Sequence, residues 1–191
     1  MSKHLENFNQ LLFICSQISR KSQQVFADLL AFFLQFAQNR IMKPNTKIRP
    51  YSQSDQPTLV DLLRLNTPKY FALEEEAEFI SYLAHEIEQY FVVELNDEIV
   101  GCGGINLVEN GAVGRISWDM LYPNSQGKGI GSKLLQHRIG VLKSNHTVKQ
   151  IVVRTSQHVY PFYEKNGFEL KEIKKDYWAD GFDLYLMEYQ P

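Results

Sequence analysis

The sequence predicts an α/β (α+β) domain, a mixed and mainly antiparallel sheet of six to seven strands flanked by helices, with a helical segment added at the N-terminus. Three observations predict it. Apolar residues alternate along the chain between helical spacings of three and four and short β-branched or aromatic runs. Three β-rich runs at residues 90–95, 99–108 and 112–122 are separated by Asn96-Asp97-Glu98 and by Asn110-Gly111, which are turn signals. A glycine-rich loop at residues 126–131 stands between a strand pattern and a helix pattern.

The composition bounds the class. The 191 residues carry 20 Lys+Arg against 22 Asp+Glu, 44% apolar and 13% aromatic residues, the profile of an ordinary globular chain. A net charge of -2 supplies no electrostatic footprint for a nucleic-acid backbone or an anionic membrane, so neither is expected as a partner. Cys15 and Cys102 allow at most one disulfide and form no Cys-x-x-Cys pair, which fits a reducing, cytoplasmic setting. No two of His4, His85, His137, His146 and His158 stand at i, i+4 on one helix, and no metal is assigned.

Residues 1–41 hold six of the twelve Phe but no Gly, Pro, Tyr or Trp, while all eleven Gly lie after residue 100. That shift places a boundary near Met42, between a helical extension (1–41) and a domain at 42–191. Leu5, Phe8, Leu12 and Cys15, then Val25, Leu29, Phe32, Phe33 and Phe36, have helical spacing and predict two short helices. The apolar run at 25–37 is too short to span a hydrocarbon core of roughly 30 Å. Glu6 stands early and no small-residue cleavage site follows, against a signal peptide. Two readings stay open: a docking helix pair, or a functional chain that begins at Met42.

The elements then follow in order. Residues 47–51 read as a strand. Asp55 before Gln56-Pro57 marks a helix start leading into Leu59, Leu62 and Leu63, ended at Leu65 or Asn66 before Pro68. Glu74, Glu75 and Glu76 load the first turn of a second helix, with Phe79, Ile80, Leu83, Ala84 and Ile87 as its buried stripe. After the three antiparallel strands, the glycine loop opens a helix with Ile130, Leu134, Leu135, Ile139 and Leu142 on one face. A strand at 148–154 precedes a short helix at 160–166 stopped by Gly167. Strands at 168–173 and 182–189 close the chain, with Tyr177, Trp178, Asp180 and Gly181 in a turn between them.

The loop Gln126-Gly127-Lys128-Gly129-Ile130-Gly131-Ser132 lets backbone N–H groups converge on an anion at a helix N-terminus. Its spacing matches neither the dinucleotide fingerprint nor the Walker loop. Residues 121–135, Leu-Tyr-Pro-Asn-Ser-Gln-Gly-Lys-Gly-Ile-Gly-Ser-Lys-Leu-Leu, resemble the acetyl-CoA-binding motif of the GNAT superfamily of acyl-CoA-dependent N-acyltransferases, whose Gln/Arg-x-x-Gly-x-Gly/Ala is matched by Gln126, Gly129 and Gly131. Residues 156–168, ending Phe-Tyr-Glu-Lys-Asn-Gly-Phe, are similar to that family's later strand-helix signature. The resemblance covers about 145 residues and leaves out the extension.

The resemblance implies a GNAT-like fold with acetyl-CoA as cosubstrate. Gln126, Gly127, Lys128, Gly129, Ile130, Gly131 and Ser132 then wrap the pyrophosphate, mainly through main-chain N–H groups. Leu121 falls where the family's splayed fourth strand offers its backbone to the pantetheine arm and the thioester carbonyl. Tyr163 takes the place of the Tyr that protonates or hydrogen-bonds the departing thiolate in many members. Ser156 stands where many members have a pantetheine-contacting Asn. Arg115 and Ile151 lie near positions where some members carry a catalytic Glu.

An amine with a pKa of about 10.4 must lose a proton before it attacks. Asp119 shares a sheet face with Leu121 by strand alternation and is the candidate base, against a structural Asp. Glu74, Glu75 and Glu76 either line an acceptor entrance or form a solvated helix start. Cys102, without a His in sequence reach, reads as a small buried residue rather than a nucleophile. The expected reaction is direct attack of a small-molecule or peptide amine on acetyl-CoA in a ternary complex, without a covalent enzyme intermediate. The other class is an acyl-CoA-binding or regulatory module with a degenerate site. A homodimer is left open.

Overall fold

The computed structural model describes residues 24–31 and 45–190. The chain divides into two compact units, Met1–Pro44 and Asn45–Pro191. In the first, residues 24–31 are helical, where the second of the two short helices was expected, and Gln24 donates to Asp28 one turn on at 2.9 Å. The expected helix carrying Leu5 to Cys15 lies outside the described residues, as do Phe32, Phe33 and Phe36. Among the described residues no helix is long and apolar enough to cross a membrane.

The second unit runs β1 (Thr46–Pro50), α1 (Gln56–Asn66), α2 (Glu75–His85), β2 (Gln89–Leu95), β3 (Glu98–Val108), β4 (Val113–Leu121), α3 (Ile130–Ser144), β5 (Gln150–Thr155), α4 (Tyr160–Lys165), β6 (Phe168–Ala179) and β7 (Phe182–Tyr189). The strands form one seven-stranded sheet in the order β1-β2-β3-β4-β5-β7-β6. Only β4 and β5 run parallel. This is the mixed, mainly antiparallel sheet that the sequence predicts.

Local chemistry explains the starts and turns. Asp55 accepts the Ser52 N–H at 2.8 Å and two Arg49 bonds at 2.7 and 3.0 Å, while Arg49 also reaches Glu94 on β2 at 2.6 Å. That network ties β1, β2 and the start of α1 together, and Arg49 holds the Asp55 carboxyl below its usual range. Asn96 and Asp97 have φ of 53° and 66° between paired Leu95 and Glu98, the left-handed pair a two-residue hairpin demands. The Asn110-Gly111 signal also marks a reversal, though the connection there is longer and includes a short 3-10 turn.

Two expectations need correction. The buried stripe of α2 is Phe79, Tyr82 and Leu83, whereas Ile80 and Ala84 are exposed and Ile87 lies beyond the helix. Tyr82 takes the inner place because its hydroxyl finds Asn106 at 2.9 Å and Ser117 at 3.3 Å. β6 continues to Ala179, so Tyr177 and Trp178 belong to a strand and only Asp180-Gly181 turns the chain. The charged stretch around Lys171 to Asp176 lacks apolar alternation because β6 is the outer strand of the sheet and faces water.

One core lies between the sheet and α3, with Val93, Ile105, Ile116, Leu134, Leu135 and Met187. The other lies beneath α1 and α2, with Leu59, Leu63, Phe79, Val92, Cys102 and Met120. Cys102 is fully buried there and burial pushes its thiol up to about 12, so it fills space.

Candidate active site

Two departures from a regular sheet build the site. β4 pairs with β5 only from Val113–Gln150 to Ile116–Val153, and beyond that point the strands part. On the other edge of β4, Cys102 pairs with Met120 and Gly104 with Ser117, so Trp118 and Asp119 oppose Gly103 alone. This is a β-bulge, with Trp118 forced to φ 49°. The bulge turns Asp119 into the splay. Tyr122 donates its N–H to Val100 on β3 at 2.7 Å, so by strand alternation the Leu121 N–H points the other way, into the opening.

Asp119 sits in a buried cluster. Arg138 of α3, 1% exposed, pairs with one carboxylate oxygen, and the Tyr163 hydroxyl of α4, in a residue 2% exposed, donates to the other. Arg138 also donates to the carbonyls of Gly104 and Leu134, each at 3.3 Å. Burial, then the Asp119 charge, holds the Tyr163 phenol well above its ordinary range. The β3 run Gly101-Cys102-Gly103-Gly104 makes room for this cluster. A Cβ on Gly103 would stand 2.5 Å from both Arg138 and Asp119, and one on Gly104 would stand 2.6 Å from Tyr82 and Tyr90.

Two cavities open on this cluster, and Asp119, Tyr163, Tyr70, Phe71 and Val159 border both. The first is walled by the glycine loop: Leu121, Gln126, Gly127, Gly129, Gly131 and Ser132 line it. Gly127 and Gly129 have φ of 72° and 77°, and a Cβ at either would meet no protein atom within 4 Å. Gly131 instead packs closely, with a Cβ position 3.2 Å from Leu121 and 3.3 Å from Phe162. The first α3 N–H groups, of Ile130, Gly131 and Ser132, have no backbone acceptor among the described residues. An open cradle of N–H groups at a helix N-terminus suits a phosphate.

Other expected residues fall elsewhere. Lys128 is exposed and Ile130 is buried in the α3 core, so neither side chain lines the cavity. The Gln126 side chain serves as a brace: its amide donates to Asn66 at 3.3 Å and to the Leu121 carbonyl at 3.5 Å, and its oxygen accepts from Tyr70 at 3.3 Å. Ser156 is buried on the other cavity, away from the loop, and its carbonyl accepts the N–H groups of Val159 and Tyr160 at 3.0 Å, opening α4.

That second cavity is lined by Glu75, Glu78 and Glu86 on one side and by Arg115 and Arg154 on the other. Of the acidic run at the start of α2, Glu75 faces the cavity, and burial raises its carboxyl above the usual range. Glu76 instead pairs with Arg64 at 2.6 Å. The sequence alone did not single out Arg138, Asn66 or Arg154. Arg138 carried a signal nonetheless, standing four residues from Leu134 and from Leu142 inside an apolar stripe.

Two cavities meeting at one carboxylate and one phenol, with an open cradle of N–H groups in the first, are a layout that suits a group-transfer enzyme. A family model for the Acetyltransferase (GNAT) family matches residues 57–168, and the chain belongs to that family. It is 28% identical over 165 residues to an N-alpha-acetyltransferase of Sulfolobus acidocaldarius, covering 76% of this chain and 92% of the relative. A second N-alpha-acetyltransferase, of Sulfurisphaera tokodaii, is 27% identical over 161 residues, 74% of this chain and 90% of the relative. Among solved structures, the ribosomal-protein-S18-alanine N-acetyltransferase of Escherichia coli superposes with a TM-score of 0.64 at 18% identity, over 76% of this chain and 93% of the other. An aminoglycoside 6'-N-acetyltransferase complexed with coenzyme A gives 0.63 at 17% identity, over 76% and 98%. At those identities the likeness is one of fold.

Gly129→Val is expected to weaken acetyl-CoA binding by well over tenfold while the chain stays folded. A branched side chain is strained at φ 77° and would fill the open cradle. Calorimetric titration measures it, and unchanged affinity in the folded variant would remove the loop from the cosubstrate site.

Proposed function

We propose that this chain transfers the acetyl group of acetyl-CoA to a primary amine by direct attack while both are bound. The observation that carries the reading is the shared wall, since Asp119 and Tyr163 border both the glycine-loop cavity and the carboxylate-lined one. The loop N–H groups from Gly127 to Ser132 hold the pyrophosphate of the cosubstrate. The Leu121 N–H donates to the thioester oxygen as negative charge builds there. The acceptor amine enters past Glu75 and Glu78, whose charge draws it in. The names of the archaeal relatives support a polypeptide α-amine as the first acceptor to try, with small amines beside it.

Proton traffic follows from the cluster. An amine with a pKa near that of lysine, about 10.4, is neutral in about one molecule in a thousand at neutral pH. Asp119 takes the proton, because each carboxylate oxygen keeps a lone pair beyond its bond to Arg138 or Tyr163. Tyr163 keeps its own proton at neutral pH, since burial raises its phenol. It gives that proton to the leaving sulfur as Asp119 hands on the one from the amine. A C–N bond forms and the C–S bond breaks. Of the two protons an ammonium sheds to become an amide, one passes from nitrogen through Asp119 and Tyr163 to sulfur and the other leaves to water.

CoA release with a panel of primary amines, against a control without amine, tests the proposal. Amine-dependent release is expected. Acetyl-CoA binding with no turnover on any amine would make the chain an acyl-CoA-binding or regulatory module.

A further inference from the structure

Five arginines lie among the described residues, at positions 49, 64, 115, 138 and 154. Arg49 pairs with Asp55 and Glu94, Arg64 with Asp61 and Glu76, and Arg138 with Asp119. Arg115 and Arg154 pair with no carboxylate among the described residues, and both line the second cavity. Both are half-buried, so each guanidinium has given up part of its hydration without a counter-charge.

Their placement is shared. Arg115 on β4 pairs in register with Val152 on β5, and Arg154 stands two residues beyond Val152, so both arginines leave the same face of the sheet. Asn106, the β3 partner of Arg115, bonds Tyr82 of α2, which fixes that face as the one beneath α2. Arg154 is held in place. Its guanidinium lies 4.9 Å from the ring centres of both Tyr177 and Trp178, and it donates to the Tyr177 hydroxyl. Beyond the bond to Tyr177, the guanidinium keeps further N–H groups for an anion. Opposite stand Glu75 and Glu78, with no cationic partner within ion-pair distance among the described residues. The cavity is therefore bipolar, basic on the sheet side and acidic on the helix side.

We propose that the acceptor is bipolar too: a primary amine whose molecule also carries a carboxylate or phosphate, seated on Arg115 and Arg154 while the amine reaches Asp119. The pairing of β4 with β5 ends at Ile116–Val153, next to Arg154, and Asp119 follows three residues later across the bulge, so the anion seat and the reaction centre lie a few residues apart along β4. The anionic group thus stands several ångströms from the amine. This inference rests on the proposed acetyl transfer and names the class of acceptor for that same site.

Matched acceptors test it on the full chain with saturating acetyl-CoA. One arm compares 5-aminopentanoate with pentylamine. The other compares C-terminally amidated peptides that begin Ser-Glu with the same peptides beginning Ser-Gln, so that a small acid and a peptide are separated. In at least one arm the anionic member is expected to show kcat/KM at least tenfold above its neutral match. Arg115→Gln and Arg154→Gln should each shrink that ratio to within about threefold, and Arg115→Lys should restore part of it. Turnover with equal or better rates on the neutral member in both arms would overturn the inference and leave acetyl transfer standing. A preference that both glutamine variants retain would overturn it as well. No turnover on any member by a chain that binds acetyl-CoA would overturn the proposed function and this inference with it.

Discussion

Arg138→Met is expected to destabilise the domain by about 3 kcal/mol, the lower end of the range for breaking a buried ion pair. The lower end applies because the Asp119 side chain is 19% exposed and recovers some hydration from the cavities. At roughly 2–4 °C per kcal/mol for a domain of this size, the melting temperature should fall by on the order of 10 °C. Arg138 is the counter-charge that lets a carboxylate stand on the bulge, and methionine leaves that charge unpaired. The double variant Arg138→Met with Asp119→Asn should recover much of the loss, because removing both charges leaves nothing unpaired. Thermal unfolding of the two variants decides it. A single variant as stable as the parent would show that the pair contributes nothing.

Tyr163→Phe should lower kcat roughly ten- to a thousandfold with acetyl-CoA affinity little changed. The ring keeps its packing against Phe162 and Phe168, while the hydroxyl that bonds Asp119 is lost. A free thiol has a pKa of about 8.5, so the departing sulfur needs least help at alkaline pH, and the defect should shrink as pH rises where thiolate departure limits the rate. Because burial raises the phenol, Tyr163 itself stays protonated through neutral pH, and the trend reports the leaving group rather than its ionisation. Steady-state rates across pH measure it. A parental kcat in the Phe variant at neutral pH would return Tyr163 to packing alone.

Local signals carried most of the fold. Pro57 after Asp55, the Asn96-Asp97 pair, the glycine loop and Gly167 each act within a few residues, and the elements they bound lie where the sequence places them. What escaped depends on distant partners. Arg138 stands in the apolar stripe of α3, but its partner Asp119, nineteen residues earlier, meets it only in the fold. Tyr82 looks like an outer residue until Asn106 and Ser117 answer its hydroxyl. The part of β6 beyond Ile173 escaped because an outer strand needs no apolar alternation. The open backbone of the loop at 126–132 was legible because glycine spacing reports backbone shape, whereas the facing carboxylates and arginines of the second cavity come from α2, β4 and β5 and meet only in the fold.

Initial rates with acetyl-CoA and a turned-over amine varied together bear on the shared wall itself, because the proposed direct transfer between two cavities meeting at Asp119 and Tyr163 needs both substrates bound at once. Double-reciprocal lines should intersect, and the chain incubated with acetyl-CoA alone should keep its unmodified intact mass. Parallel lines, together with an acetylated chain formed before any amine is added, would contradict direct attack.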